Sequence, residues 1–139
     1  MSGHASTSLP RLKTRPQFLA AAKGAYRAQG AVVVQKRPRN DGNPAIQVGF
    51  TATRKVGGAV VRNRAKRRLR EAARLLLPLH GEPGCDYVLV ARDGTARRDW
   101  SRLLDDVKTA LIRLAADPSP ARQTGARPPP ADNGSPDVI

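Results

Sequence analysis

Cysteine, histidine and aromatic side chains are scarce in this chain, and each scarcity excludes something. A single thiol, Cys85, leaves no disulfide framework and no thiolate metal site. The two histidines stand far apart, His4 in a polar leader and His80 beside a turn, and the adjacent Asp105 and Asp106 point in different directions on a helix. No acid/base pair and no Cys/His cluster with metal-ligand spacing is visible. The expectation is a chain with no catalytic residue, no metal ligand and no bound cofactor of its own. Aromatics make up only 4% of the residues, so the core must be mostly aliphatic. No apolar run approaches the roughly 18–20 residues that span a bilayer. The opening MSGHASTSLPRLKTRP has no hydrophobic segment of the signal-peptide kind, so a reduced, cytoplasmic setting is expected. Acidic residues are few as well: 11 against 25 Lys and Arg, a net charge of +14 over 139 residues. Such an imbalance calls for a polyanion, nucleic acid first and an anionic membrane surface second.

The chain length fits one domain. Residues 1–10 read as a flexible leader. Thr14, Pro16 and Gln17 have the pattern of a helix start, with the helix running through FLAAAK to Gly24. Residues 31–36 (AVVVQK) read as a strand, and residues 37–44 (RPRNDGNP) as a loop closing a hairpin onto residues 46–53. In that second strand Ile46, Val48, Phe50 and Ala52 alternate with Gln47, Gly49, Thr51 and Thr53, as in a sheet covered on one side. Residues 60–77 have helical period, with Val61, Ala65, Leu69, Ala72 and Leu76 on one stripe and Pro78 and Gly81 ending it. Residues 86–92 are a third strand. A last amphipathic helix over 97–116 carries Trp100, Leu103, Leu104, Val107, Leu111 and Leu114 inward. Residues 117–139, with six prolines in 23 residues, read as a disordered tail.

Six of the nine residues in 62–70 are Lys or Arg. Like charges at helical i, i+4 spacing repel by a few tenths of a kcal/mol each, and a merely solvated face mixes signs, which this one does not. Arginine predominates, and its planar fork suits phosphates and base edges.

These residues resemble a known family. KVGGAVVRNRAKRRLRE is similar to the signature of the bacterial ribonuclease P protein, carried here by Lys55, Gly57, Ala59, Val60, Arg62, Asn63, Lys66, Arg67 and Arg70, with Arg64 completing an Arg-Asn-Arg core. The resemblance extends over residues 11–116. It implies an α+β single domain in the order α-β-β-β-α-β-α with a left-handed β-α-β crossover. The three strands and three helices read above leave one strand unplaced, most plausibly within 47–55. The resemblance also implies a function: a protein subunit that binds the catalytic RNA and the 5′ leader of precursor tRNA during tRNA 5′ maturation. The active site and its Mg²⁺ ions would then belong to the RNA subunit. Two departures stand out, Gly58 where relatives commonly have Asn, and Ala22 where they often carry a second aromatic.

Carried over residue by residue, Lys55, Arg62, Asn63, Arg64, Lys66, Arg67 and Arg70 are the expected contacts to the RNA subunit. Phe18, Gln35, Thr51, Thr53 and Arg92 are the expected contacts to the leader. Against them stand blander readings: Phe18 as ordinary packing, the strand residues as exposed polarity, Lys55 and Arg92 as surface charge. Trp100 is expected in the core, and Tyr26 and Tyr87 stay undecided. The expected partners are ribonuclease P RNA and precursor tRNA, with neither DNA nor membrane. The rival classes are a ribosomal or other structural RNA-binding protein, and a protein-only nuclease. A membrane-surface helix would need a bulky aromatic face that this basic helix lacks.

Overall fold

In the computed structural model, residues 10–12 and 14–116 are described. The expected leader through residue 9 and the expected tail over 117–139 lie outside them. Helix α1 (Arg15–Ala22) starts as the sequence suggests: the Thr14 N–H donates to Gln17 Oε1 at 3.0 Å and Pro16 occupies the first turn. Strands β1 (Ala25–Gln29), β2 (Val32–Pro38), β3 (Gln47–Thr51) and β4 (Cys85–Ala91) form one sheet in the order β1-β2-β4-β3. Helix α2 (Ala59–His80) crosses from β3 to β4, and α3 (Trp100–Ala116) closes the fold.

The element order matches the expected α-β-β-β-α-β-α, but the unplaced strand is β1, ahead of the first strand read from sequence rather than within 47–55. Its five residues, AYRAQ, are short and mixed in polarity, and the Gly24 and Gly30 that bracket it were its only punctuation. The hairpin is therefore β1–β2, antiparallel, turning at Gly30 with φ +52°. The loop over 37–44 closes no hairpin. It carries the chain to β3, which pairs in parallel with β4, while β4 pairs antiparallel with β2. The reason lies in β4 itself: all seven of its residues are buried, and a strand covered on both faces belongs in the middle of a sheet.

The sheet is also covered on both sides, not one. Val48, Phe50, Val34, Tyr87 and Leu89 face α2 and α3 in the larger core. Val33, Val88, Val90 and Tyr26 face the other way and pack with Phe18 and Ala21 of α1 and with Leu12. Gly49 and Thr51, expected on a polar face, are buried beneath this second layer. Leu12 is tied there by the backbone: its N–H donates to Val48 O, and Val48 N–H donates to Pro10 O, each at 3.0 Å. The segment around Arg11 thus extends the sheet beside β3.

Helix α2 runs past Pro78 to His80. In the last turn the missing N–H costs a single backbone bond, and Leu77, fully buried, still accepts from Gly81 N–H at 2.8 Å. The buried stripe is Ala65, Leu69, Ala72, Ala73 and Leu77, rotated from the expected one. Val61 is 38% exposed and Leu76 only half-buried. Trp100 packs half-buried against the larger core.

Candidate nucleic-acid interface

The basic surface is built by the first four turns of α2. The preceding link must bend sharply, and Gly57 does so with φ +147° in a place where a Cβ would meet Val61 at 2.9 Å. Gly58 is the N-cap and supplies no side-chain cap; the first turn carries no acidic residue. The helix therefore begins with unneutralised N–H dipoles beside a row of arginines. Asn63, Arg64 and Arg67 lie on one exposed face, three and four residues apart. Their nearest acid on the helix, Glu71, is engaged by Arg74 in a forked pair at the surface. The face is uniformly cationic.

The other residues expected on this surface sit differently. Arg62 is half-buried and donates from Nη1 to Gly57 O at 3.3 Å, tying the helix to its own bend. Lys66 is 5% exposed, on the flank of the apolar stripe. Arg70 is half-buried, and burial, with Arg11 and Arg67 nearby, holds its pKa below the ordinary arginine value. Lys55 is exposed in the short 3-10 turn Arg54–Val56 that leads into α2. Arg68, in the midst of the run, turns inward. It donates to Thr95 O at 2.7 Å and to Arg98 O, and its guanidinium lies over the Trp100 ring at 5.7 Å.

The residues expected to meet a leader are only partly brought together. Phe18, Gln35 and Thr51 share the α1 side of the sheet, but all three are buried, at 1%, 1% and 6% exposure. Phe18 lies so close on Gly49 that a Cβ there would stand 2.6 Å from the ring. A ring enclosed in this way presents no free face to a nucleobase, and the packing reading of Phe18 fits its burial. Gln35, on a strand that α1 packs against, does not line an open floor, and Thr51 is buried as well. Thr53 is half-buried and Arg92 exposed, each just beyond a strand end.

Several polar residues with structural tasks were not singled out from sequence. Asp106, 5% exposed, accepts from Ala31 N–H at 3.0 Å and from Arg98 Nε at 3.0 Å, locking α3 to the β1–β2 turn. The buried Thr95 hydroxyl donates to Ala31 O at 2.6 Å beside it. Asp86, fully buried, takes Arg39 Nη1 at 2.8 Å and Arg37 Nη1 at 3.3 Å, clamping the start of the 37–44 loop. Glu82 pairs with Lys36. Only Asp86 carried a signal in sequence, an acid inside an otherwise apolar strand, without indication of which cation it would meet. Among the described residues, no three His, Cys, Asp or Glu side chains come together as a metal site, and no helix is long and apolar enough to cross a membrane.

Comparison with known proteins follows the same lines. Residues 8–115 match the family model described as Ribonuclease P. The chain is 66% identical over 107 residues to the ribonuclease P protein component of Caulobacter vibrioides, covering 77% of this chain and 72% of that one. It is 52% identical to that of Ruegeria pomeroyi over 114 residues, 81% of this chain and 91% of the relative. Among solved structures, the RNase P protein of Thermotoga maritima superimposes with a TM-score of 0.63 at 27% identity, covering 74% of this chain and 96% of that one. An arginine-faced helix set on this α+β sheet, and a match across nearly all of the described chain, lead to one conclusion: the chain belongs to the ribonuclease P protein family.

Proposed function

We propose that this chain brings ribonuclease P RNA and precursor tRNA together, with the outer face of α2 on the RNA subunit. As a member of its family the chain is a subunit of ribonuclease P, the endoribonuclease of tRNA 5′ maturation, and its partner is ribonuclease P RNA. The observation that carries the reading of α2 is its exposed face of Asn63, Arg64 and Arg67 with no acid opposite. Arginine forks there can take phosphate oxygens in pairs, and the asparagine amide can both donate and accept at a base or ribose edge. Each phosphate neutralised releases condensed counterions, so binding should weaken steeply with salt.

Two polyanions repel, and a strongly cationic protein between them lowers the cost of bringing them together. Among the described carboxylates, Glu71, Glu82, Asp86 and Asp106 each hold a cationic side chain and are poorly placed for chemistry. We assign the bond-breaking step and its Mg²⁺ ions to the RNA subunit accordingly. For the 5′ leader, Thr53 and Arg92 are the residues left at the surface on the rim of the sheet. A leader contact there would favour precursor over mature tRNA. The test is binding of precursor and mature tRNA by the reconstituted holoenzyme carrying Thr53→Ala with Arg92→Ala. The expected result is a loss of precursor affinity with mature tRNA unchanged; equal effects on both tRNAs would remove the leader assignment.

A further inference from the structure

Arg70 has an unmet need. Its Nε lies buried with no hydrogen-bond partner among the described residues. Unpaired buried donors are rare in folded proteins, and one on a charged group is the costliest kind. The groups that approach it are cations. Arg11 reaches the same side of the sheet from the segment paired with β3, and its guanidinium lies over the Phe50 ring at 5.8 Å. Phe50 faces α2 in the larger core. Arg67 is one turn before Arg70 on the helix. Neither Arg11, Arg67 nor Arg70 has an ion pair among the described residues, and the pKa of Arg70 is lowered by burial and then by these two arginines.

We infer that Arg11, Arg67 and Arg70 form a single anion site that one backbone phosphate of the RNA subunit fills, with Arg11 delivered by the N-terminal segment along β3. This rests on the reading of α2 as the RNA-binding face and adds to it a residue outside the helix motif. A phosphate accounts for all three observations together. It offers an acceptor to the buried Nε, it neutralises a cluster that otherwise repels itself, and it takes forked donors from more than one side. A lone helix face offers phosphates a single row of donors; Arg11 supplies a second wall from the sheet edge. The backbone bonds of Leu12 and Val48, at 3.0 Å, fix where that wall stands.

The experiment is binding of the full-length protein to ribonuclease P RNA between 0.1 and 1 M salt, for wild type, Arg11→Gln and Arg64→Ala, with thermal unfolding of each. Arg11→Gln should flatten the slope of log K against log salt by nearly one contact. That corresponds to about a five- to eightfold loss at 0.1 M, vanishing toward 1 M. Its melting temperature should hold or rise, since a repelling charge is removed. Arg64→Ala should flatten the slope as well and so marks the general RNA surface. An unchanged slope for Arg11→Gln beside a flattened one for Arg64→Ala overturns the three-arginine site and leaves the reading of α2 standing. Unchanged slopes for both overturn that reading itself. A loss for Arg11→Gln that is the same at every salt concentration, accompanied by a lower melting temperature, shows Arg11 to be a packing residue and also overturns the site.

Discussion

Arg67 and Arg68 are adjacent in the chain, yet one step of about 100° on α2 separates a guanidinium in solvent from one folded onto Thr95 and Arg98. Their substitution should therefore fail in different ways. Arg68→Ala removes charge-assisted bonds to two carbonyls and a contact with Trp100, and should lower stability by about 1.5–3 kcal/mol, with little change in the salt slope of RNA binding. Arg67→Ala should leave the melting temperature nearly unchanged and flatten that slope by up to about 1. Denaturant unfolding beside RNA titrations separates the two, and identical profiles for both variants would contradict the assignment. Phe18 belongs with Arg68 as a structural residue. With its ring enclosed against Gly49, Phe18→Ala should cost about 3–5 kcal/mol of stability and weaken precursor and mature tRNA binding alike. A selective loss for precursor tRNA, with the unfolding midpoint unmoved, would restore a stacking role.

At the scale of elements, the acids inside apolar segments decide how the pieces are held. Asp106 joins α3 to the β1–β2 turn through Ala31 N–H and Arg98, and Gly30, held at φ +52°, passes directly against its carboxylate. Asp106→Ala should cost about 1.5–3 kcal/mol by leaving a buried N–H and a guanidinium without their acceptor. Gly30→Ala should destabilise as well, since a methyl group would enter the space of that carboxylate. Hydrogen exchange at Ala31 gives the direct reading: faster exchange is expected in Asp106→Ala, and unchanged protection would show the lock to be incidental. Cys85, buried at the start of β4, has its thiol pKa pushed up by desolvation. It should resist alkylation near neutral pH until the protein unfolds. How much of this was legible in sequence follows from the kind of signal each element carried. Helices α2 and α3 announced themselves by long apolar period, and the arginine motif marked the helix that carries the exposed cationic face. Strand β1 did not, because five residues of mixed polarity carry no period. The pairing of β3 with β4 was hidden too, since it depends on a contact between segments separated by the whole of α2. Phe18, Gln35 and Thr51 are buried, and that burial depends on how distant segments pack over the sheet, which no local pattern encodes.

For the whole molecule, the fold sets an apolar double layer behind a cationic front. Two hydrophobic clusters on opposite faces of the sheet hold α1 on one side and α2 with α3 on the other, which leaves Arg64 and Arg67 of α2 on an exposed outer face. Buried Asp86 and Asp106 help hold that scaffold together, and the net charge of +14 is left to meet RNA. On the proposed reading, the chain assists catalysis through binding and charge neutralisation, and the chemical step rests with its partner. The most direct measurement is cleavage of precursor tRNA at an Mg²⁺ concentration too low for the RNA subunit to act by itself, with the RNA alone, the nuclease-treated protein alone, and the two combined. The account predicts 5′-leader removal only in the combined reaction, lost again when Arg64 and Arg67 are both replaced by alanine. Specific cleavage by the nuclease-treated protein alone, or full activity of the RNA with the doubly substituted protein, would contradict it.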